Sequence, residues 1–100
     1  MSLRIRRKDL YEIARGEKRI EYRRCIPFYE SRFTQDGFFL DIKAIRFYGN
    51  KDYAIAKVKT IDTFINGDEE FFRIHLGPTL ETNISKAESA PKVRNGKRVK

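Results

Sequence analysis

The chain has 100 residues, 40% of them hydrophobic, with eight Phe and five Tyr; that length suits one domain with a thin, aromatic-rich core. A formal charge of +8 favours polyanionic partners, and nucleic acid and an anionic membrane surface both meet that description. The single Cys25 excludes an intramolecular disulfide, no Cys/His cluster is spaced for a structural metal, and every apolar run falls far short of the ~20 residues that span a bilayer. These features predict a soluble protein in a reducing, cytoplasmic setting, with no membrane partner and no cofactor.

Leu3 and Ile5 alternate with polar neighbours and predict a short first strand. From Lys8 the spacing becomes helical through Leu10, Tyr11, Ile13 and Ala14, and Gly16 is placed to end a two-turn helix. Residues 19–23 alternate again, with Ile20 and Tyr22 on one face and Glu21 and Arg23 on the other. Pro27 and the Asp36-Gly37 turn signal make 26–38 an aromatic-rich connection without regular structure. Ile42 to Tyr48 and Tyr53 to Ile61 then form a hairpin over a four-residue loop, Gly49 to Asp52. Phe64-Ile65 extends the second of these strands to the Asn66-Gly67-Asp68 turn, and Phe71 to Leu76 is a last strand closed by Gly77-Pro78.

One short helix and about five strands predict an α+β fold, a small curled sheet or β-barrel with one or two short flanking helices over residues 1–84, whose sheet must curl to protect its edges. Residues 85–100 hold six Lys/Arg against Glu88 alone. The tail therefore carries +5 and the body +3. With Val93 and Val99 as its large apolar residues the tail cannot offset its ordering entropy, which predicts a disordered segment, either a solvated terminus or a polyanion-binding arm.

The segment Gly16-x-Lys18-x-x-Glu21-x-Arg23, directly after the helix, resembles the G-x-K-x-x-E-x-R signature of ASCH domains in the PUA-like superfamily. The order strand, helix, charged strand, aromatic connection, hairpin and the FFRIHLG strand extends the resemblance over roughly residues 3–84. It implies a PUA-like barrel that binds or processes RNA, with a cleft lined by Lys18, Glu21 and Arg23. Some short members act as amidohydrolases on acetylated cytidine and others are linked to ribonuclease activity, so Lys18 and Glu21 would be catalytic if the chain were an enzyme. The short amidohydrolase pattern has a hydroxyl residue where Glu21 stands and a partner carboxylate later in the chain; Asp62, Glu69 and Glu70 are the candidates for that acid.

The residues give a parallel reason for a polyanion site. Glu21 and Arg23 sit two apart on a strand and point the same way, with Lys18 where the chain enters it. An Arg presents a planar fork to a phosphate or base edge, and a Lys a point charge. The same pattern on a solvent-facing strand would merely contribute cross-strand pairs. Interleaved aromatics and cations suit single-stranded RNA, with bases on rings and phosphates on cations. Tyr22, Arg24, Arg32, Tyr48 and Lys57 join the motif as candidate nucleic-acid contacts, and the other candidates are Phe28, Tyr29, Phe33, Arg46, Lys51, Tyr53 and Lys59. His75, opposite Phe72, Ile74 and Leu76, is expected to be a satisfied surface residue. Cys25, beside Arg23 and Arg24, is expected to be a small core or near-cleft residue and not a nucleophile, its thiol pKa open to depression by those cations. RNA or a nucleotide is the expected partner, a small hydrolase is the alternative, and a module meeting an acidic protein is the third reading.

Overall fold

The computed structural model of the protein describes residues 1–85; the predicted basic tail lies outside the described residues, Ser85 apart. The fold is α+β, a curled five-stranded sheet shaped as a half-barrel with two helices. In chain order its elements are β1 (Ser2–Arg4), α1 (Arg7–Ala14), β2 (Ile20–Arg24), α2 (Pro27–Phe33), β3 (Thr34–Gln35), β4 (Phe38–Phe39), β5 (Ala44–Gly49), β6 (Asp52–Asn66) and β7 (Glu69–Thr82). The large sheet runs β1-β5-β6-β7-β2, with β1 parallel to β5 and the other neighbours antiparallel. No helix of the described residues is long and apolar enough to cross a membrane.

The core lies on the concave side, where α1 packs on β5, β6 and β7 through Leu10 and Ile13. Facing them are Ile45, Phe47, Ala54, Ala56, Val58, Phe72, Ile74 and Leu76, all buried. Phe33 is fully buried and meets the Phe72 ring edge-on at 5.0 Å, which docks α2 on the same core.

Alternation along β6 changes phase. Ala54, Ala56 and Val58 face the core, but beyond them it is Ile61 that packs on it, and the β6–β7 register shifts between Ile55 and Thr60. Such bulges increase local twist, and here they curl the sheet while leaving Lys57, Lys59 and Thr60 exposed.

Three expectations need correction. Residues 26–38 are ordered: Pro27 stands in the first turn of α2, where its missing N–H costs nothing, and Asp36 and Gly37 both take positive φ (53° and 83°) as the tight β3–β4 hairpin requires. The β5–β6 loop is two residues, Asn50 and Lys51, because Gly49 pairs with Asp52. Finally, Gly77-Pro78 does not end β7. The strand continues to Thr82, and β2 pairs only with Phe71 to His75, so Pro78 sits on a stretch with no neighbour on that side and inside the region of shifted register.

The sheet does not close. Its edges are β1 and β2, and where a barrel would carry a backbone ladder, Arg23 on β2 donates from Nη2 to the Arg4 carbonyl of β1 at 3.0 Å.

Candidate functional site

That open seam holds a hollow of about 400 Å³ bordered by Arg4, Ile5, Arg6, Asp9, Lys18, Glu21, Tyr22 and Arg23. Three stretches of sequence build it. The first turn of α1 supplies Asp9. Helix α1 ends in a Schellman turn, with Gly16 N–H on the Ile13 carbonyl and Glu17 N–H on the Glu12 carbonyl, both at 2.9 Å. Gly16 sits at φ 76°, a conformation that glycine takes without a Cβ clash, and the reversal delivers Lys18 to the start of β2. Glu21 and Arg23 then face inward, paired in register with Ile74 and Phe72 of β7, while Tyr22 faces outward opposite Arg73. The charged face of β2 is therefore its inner face.

Burying ions demands pairing, and the pairing is complete. Glu21 is 8% exposed and is the one charged residue among the buried set of the described residues. Its Oε2 accepts from Arg23 Nε at 2.9 Å, and its Oε1 lies 3.4 Å from Lys18 Nζ. Lys18 Nζ is also 3.4 Å from Asp9 Oδ1, and Asp9 Oδ2 meets Arg6 at 3.1 Å. All three Arg23 nitrogens donate: Nε to Glu21, Nη1 to the Tyr29 hydroxyl at 2.8 Å and Nη2 across the seam. The two cations have different jobs. Arg23 spends its fork on short internal bonds, whereas Lys18 is held loosely between two carboxylates at distances a ligand can outcompete.

Apart from Tyr22, whose residue borders the hollow while its ring turns away, the remaining candidates lie elsewhere. Arg24 points to the outer face and pairs with Glu69. Arg32, on α2, covers the Phe28 ring at 3.5 Å and donates to the Phe28 carbonyl. Tyr48 and Tyr53 flank Arg46, whose guanidinium lies 5.5 and 4.9 Å from their rings. Lys57 borders a separate hollow with Lys59 and Arg19. Tyr22 is half exposed, with its ring edge-on to Phe64 at 5.4 Å on the outer face.

None of the later acids reaches the seam hollow. Asp62 accepts two bonds from Arg73 at 2.9 Å and lies 3.2 Å from His75 Nε2 on the outer face, Glu69 is taken by Arg24, and Glu70 is exposed. The arginine bonds, with a smaller contribution from His75, hold the Asp62 carboxyl down at about 2. His75 is satisfied, as expected. The arginines beside Cys25 do not depress its thiol: burial pushes it up, with the Glu70 and Glu30 carboxylates adding to the rise.

Sequence reasoning missed Asp9 altogether and took Tyr29 for a ligand contact where it is a partner of Arg23. Asp9 sits in the first turn of α1, and the Gly16 reversal that folds β2 back along the helix was the signal that could have found it. Tyr29 belongs to α2, in a segment read as irregular. Compared with protein-family models, with curated proteins and with solved structures, the chain returned no match.

Proposed function

We propose that the protein is an RNA-binding module that takes a nucleotide of single-stranded RNA, or a modified nucleoside within it, in the hollow framed by Lys18, Glu21 and Arg23. One observation supports this above the rest: these three side chains converge at an open seam, in a concavity of about 400 Å³, instead of spreading over a solvated strand. The resemblance to ASCH domains rests on the same residues and points the same way.

The chemistry divides by position. At the rim, the Arg4 side chain has no partner among the described residues and is free to meet a phosphate, whereas Arg6, largely exposed, is paired with Asp9 and would meet one by exchanging that pair. Inside, Lys18 donates and Glu21 accepts, which suits the mixed donor–acceptor edge of a base. The half-exposed Tyr22 ring stands on the outer face beside Phe64 and offers stacking to a neighbouring base there, outside the hollow. Arg23 shapes the hollow by tying β2 to β1.

Filter binding with short single-stranded RNAs at low and moderate salt tests the reading. Lys18→Ala is expected to weaken binding by about tenfold or more, the worth of a bond to a charged donor, with far-UV circular dichroism unchanged. Binding indifferent to Lys18→Ala would reject the hollow as the site. Turnover of acetylated cytidine or of RNA, lost in Lys18→Ala, would move the protein to the hydrolase class instead.

A further inference from the structure

On the other side of the Gly16–Arg19 turn lies a second hollow, of about 430 Å³, bordered by Gly16, Arg19, Lys57, Lys59, Gly77 and Pro78. Its composition is unlike that of the seam. Three cations border it and no carboxylate does, and among the described residues the side chains of Arg19, Lys57 and Lys59 make no ion pair. We infer that this hollow is a separate phosphate site, which takes the phosphodiester backbone of a nucleic-acid strand on Arg19, Lys57 and Lys59.

Two structural features gather these charges. Ordinary alternation along β6 puts Lys57 and Lys59 on the exposed side of the strand, with Ala56 and Val58 turned to the core, so like charges stand two residues apart. Gly77 receives their stems: a Cβ built there would lie 3.4 Å from Lys57 Cβ and 3.4 Å from Lys59 Cγ. The aliphatic parts of both lysines therefore rest on a surface with no side chain of its own, and the ammonium groups extend past it. Arg19 closes the hollow from the β2 side, where its carbonyl accepts from Leu76 N–H at 2.8 Å and anchors the backbone that carries it.

The kind of ligand follows from the donors. Three backbone N–H groups of the turn are spent, Gly16 on Ile13 and both Glu17 and Lys18 on the Glu12 carbonyl. An anion would meet exposed side chains without those three N–H groups to cradle it as a small free phosphate is cradled. Exposed, unpaired cations suit a polymer, because together they neutralise successive phosphates and release the counterions condensed on them. The inference stands whether or not the seam hollow takes a nucleotide.

An amide-resolved NMR titration of the full chain decides it, with a short oligouridylate in one arm and inorganic phosphate at matched ionic strength in the other. The oligomer is expected to shift Gly16, Arg19, Lys57, Lys59 and Gly77 saturably, and inorganic phosphate to shift them weakly and without saturation. In the double variant Lys57→Gln, Lys59→Gln the five shifts should fall at least fivefold at equal ligand, while any shifts at Asp9, Lys18 and Glu21 persist. Oligomer-induced shifts absent from these five residues, or surviving the double substitution, would overturn the site. Saturation by inorganic phosphate as tight as by the oligomer would overturn the polymer as occupant. Loss of shifts at Lys18 and Glu21 alone bears on the seam hollow and leaves this site standing.

Discussion

Lys18 and Arg19 are neighbours in the chain, yet they border two hollows whose cations live under opposite rules. In the seam hollow Lys18 and Arg23 share two carboxylates, largely out of water. In the basic hollow Arg19, Lys57 and Lys59 have no carboxylate on the border at all. Paired ions in a sheltered place cost desolvation and return geometry: each donor is fixed, so the site can discriminate shape and hydrogen-bonding pattern. Unpaired ions in water keep their long-range field and return attraction that depends steeply on salt. The proposed reading of a nucleotide on a polyanion needs both, and here a single turn divides them.

Breaking the paired side should produce the largest effect. Arg23→Met leaves Glu21 with the distant Lys18 contact alone and removes the β2-to-β1 tie, so a loss of about 3 kcal/mol is expected in urea unfolding. Adding Glu21→Leu to Arg23→Met should recover most of that loss, because the uncompensated carboxylate is gone, while the proposed RNA binding should be lost in both variants. A double variant no more stable than Arg23→Met alone would show that the seam tie, and not the buried charge, carries the energy.

Salt dependence sharpens the unpaired side. Replacing both Lys57 and Lys59 by Ala should reduce the slope of log affinity against log salt for single-stranded RNA by about 1.4, at ~0.7 for each phosphate left without its cation. Lys18→Ala should change that slope by less than half as much and lower the affinity at every salt concentration. Equal slope changes for the two variants would erase the distinction between the hollows.

The hinge between them comes next. Gly16→Ala places a Cβ at φ 76°, where nothing crowds it but the backbone resists, so a loss of about 1 kcal/mol is expected by thermal unfolding. Because Lys18 and Arg19 both follow this turn, the variant should weaken both binding modes together.

The parts of this arrangement that were legible in sequence are those with local causes. Helical spacing through Leu10 and Ile13, a glycine after the last turn and strict alternation in 19–23 placed α1, Gly16 and β2, and the alternation put Glu21 and Arg23 on one face. That this face turns inward was not legible. Apolar Ile20 and charged Glu21 would each read as core or surface by composition, and the choice depends on α1 packing over the concave side and leaving room at its first turn for ions. Helix α2 was hidden by Pro27, which signals a start as well as a break, and its seven residues are too few for periodicity to outvote the aromatic clutter. Alternation shows Lys57 and Lys59 on one strand face, but the rest of the basic hollow was hidden: the β6–β7 register shifts and the continuation of β7 through Pro78 are tertiary facts, and they bring Gly77 against the two lysines.

The smallest predicted effect concerns an ion pair that belongs to neither hollow. Asp62 is held at about 2 by Arg73 and then His75, below its ordinary 3.8, so its folded form binds the proton less readily than its unfolded form. Stability from this carboxylate is therefore fully present above about pH 4 and is lost as pH falls from there through about 2. Its side chain is 45% exposed, and solvent screening discounts the pair, so Asp62→Asn should lower Tm by only about 2 °C at neutral pH. The gap between wild type and variant should close between pH 4 and 2, and RNA binding by both hollows should be untouched. A gap that persists at pH 2 would mean that Asp62 stabilises the sheet through packing or neutral hydrogen bonds, and a loss of binding would place the outer face of β6 and β7 within reach of the ligand.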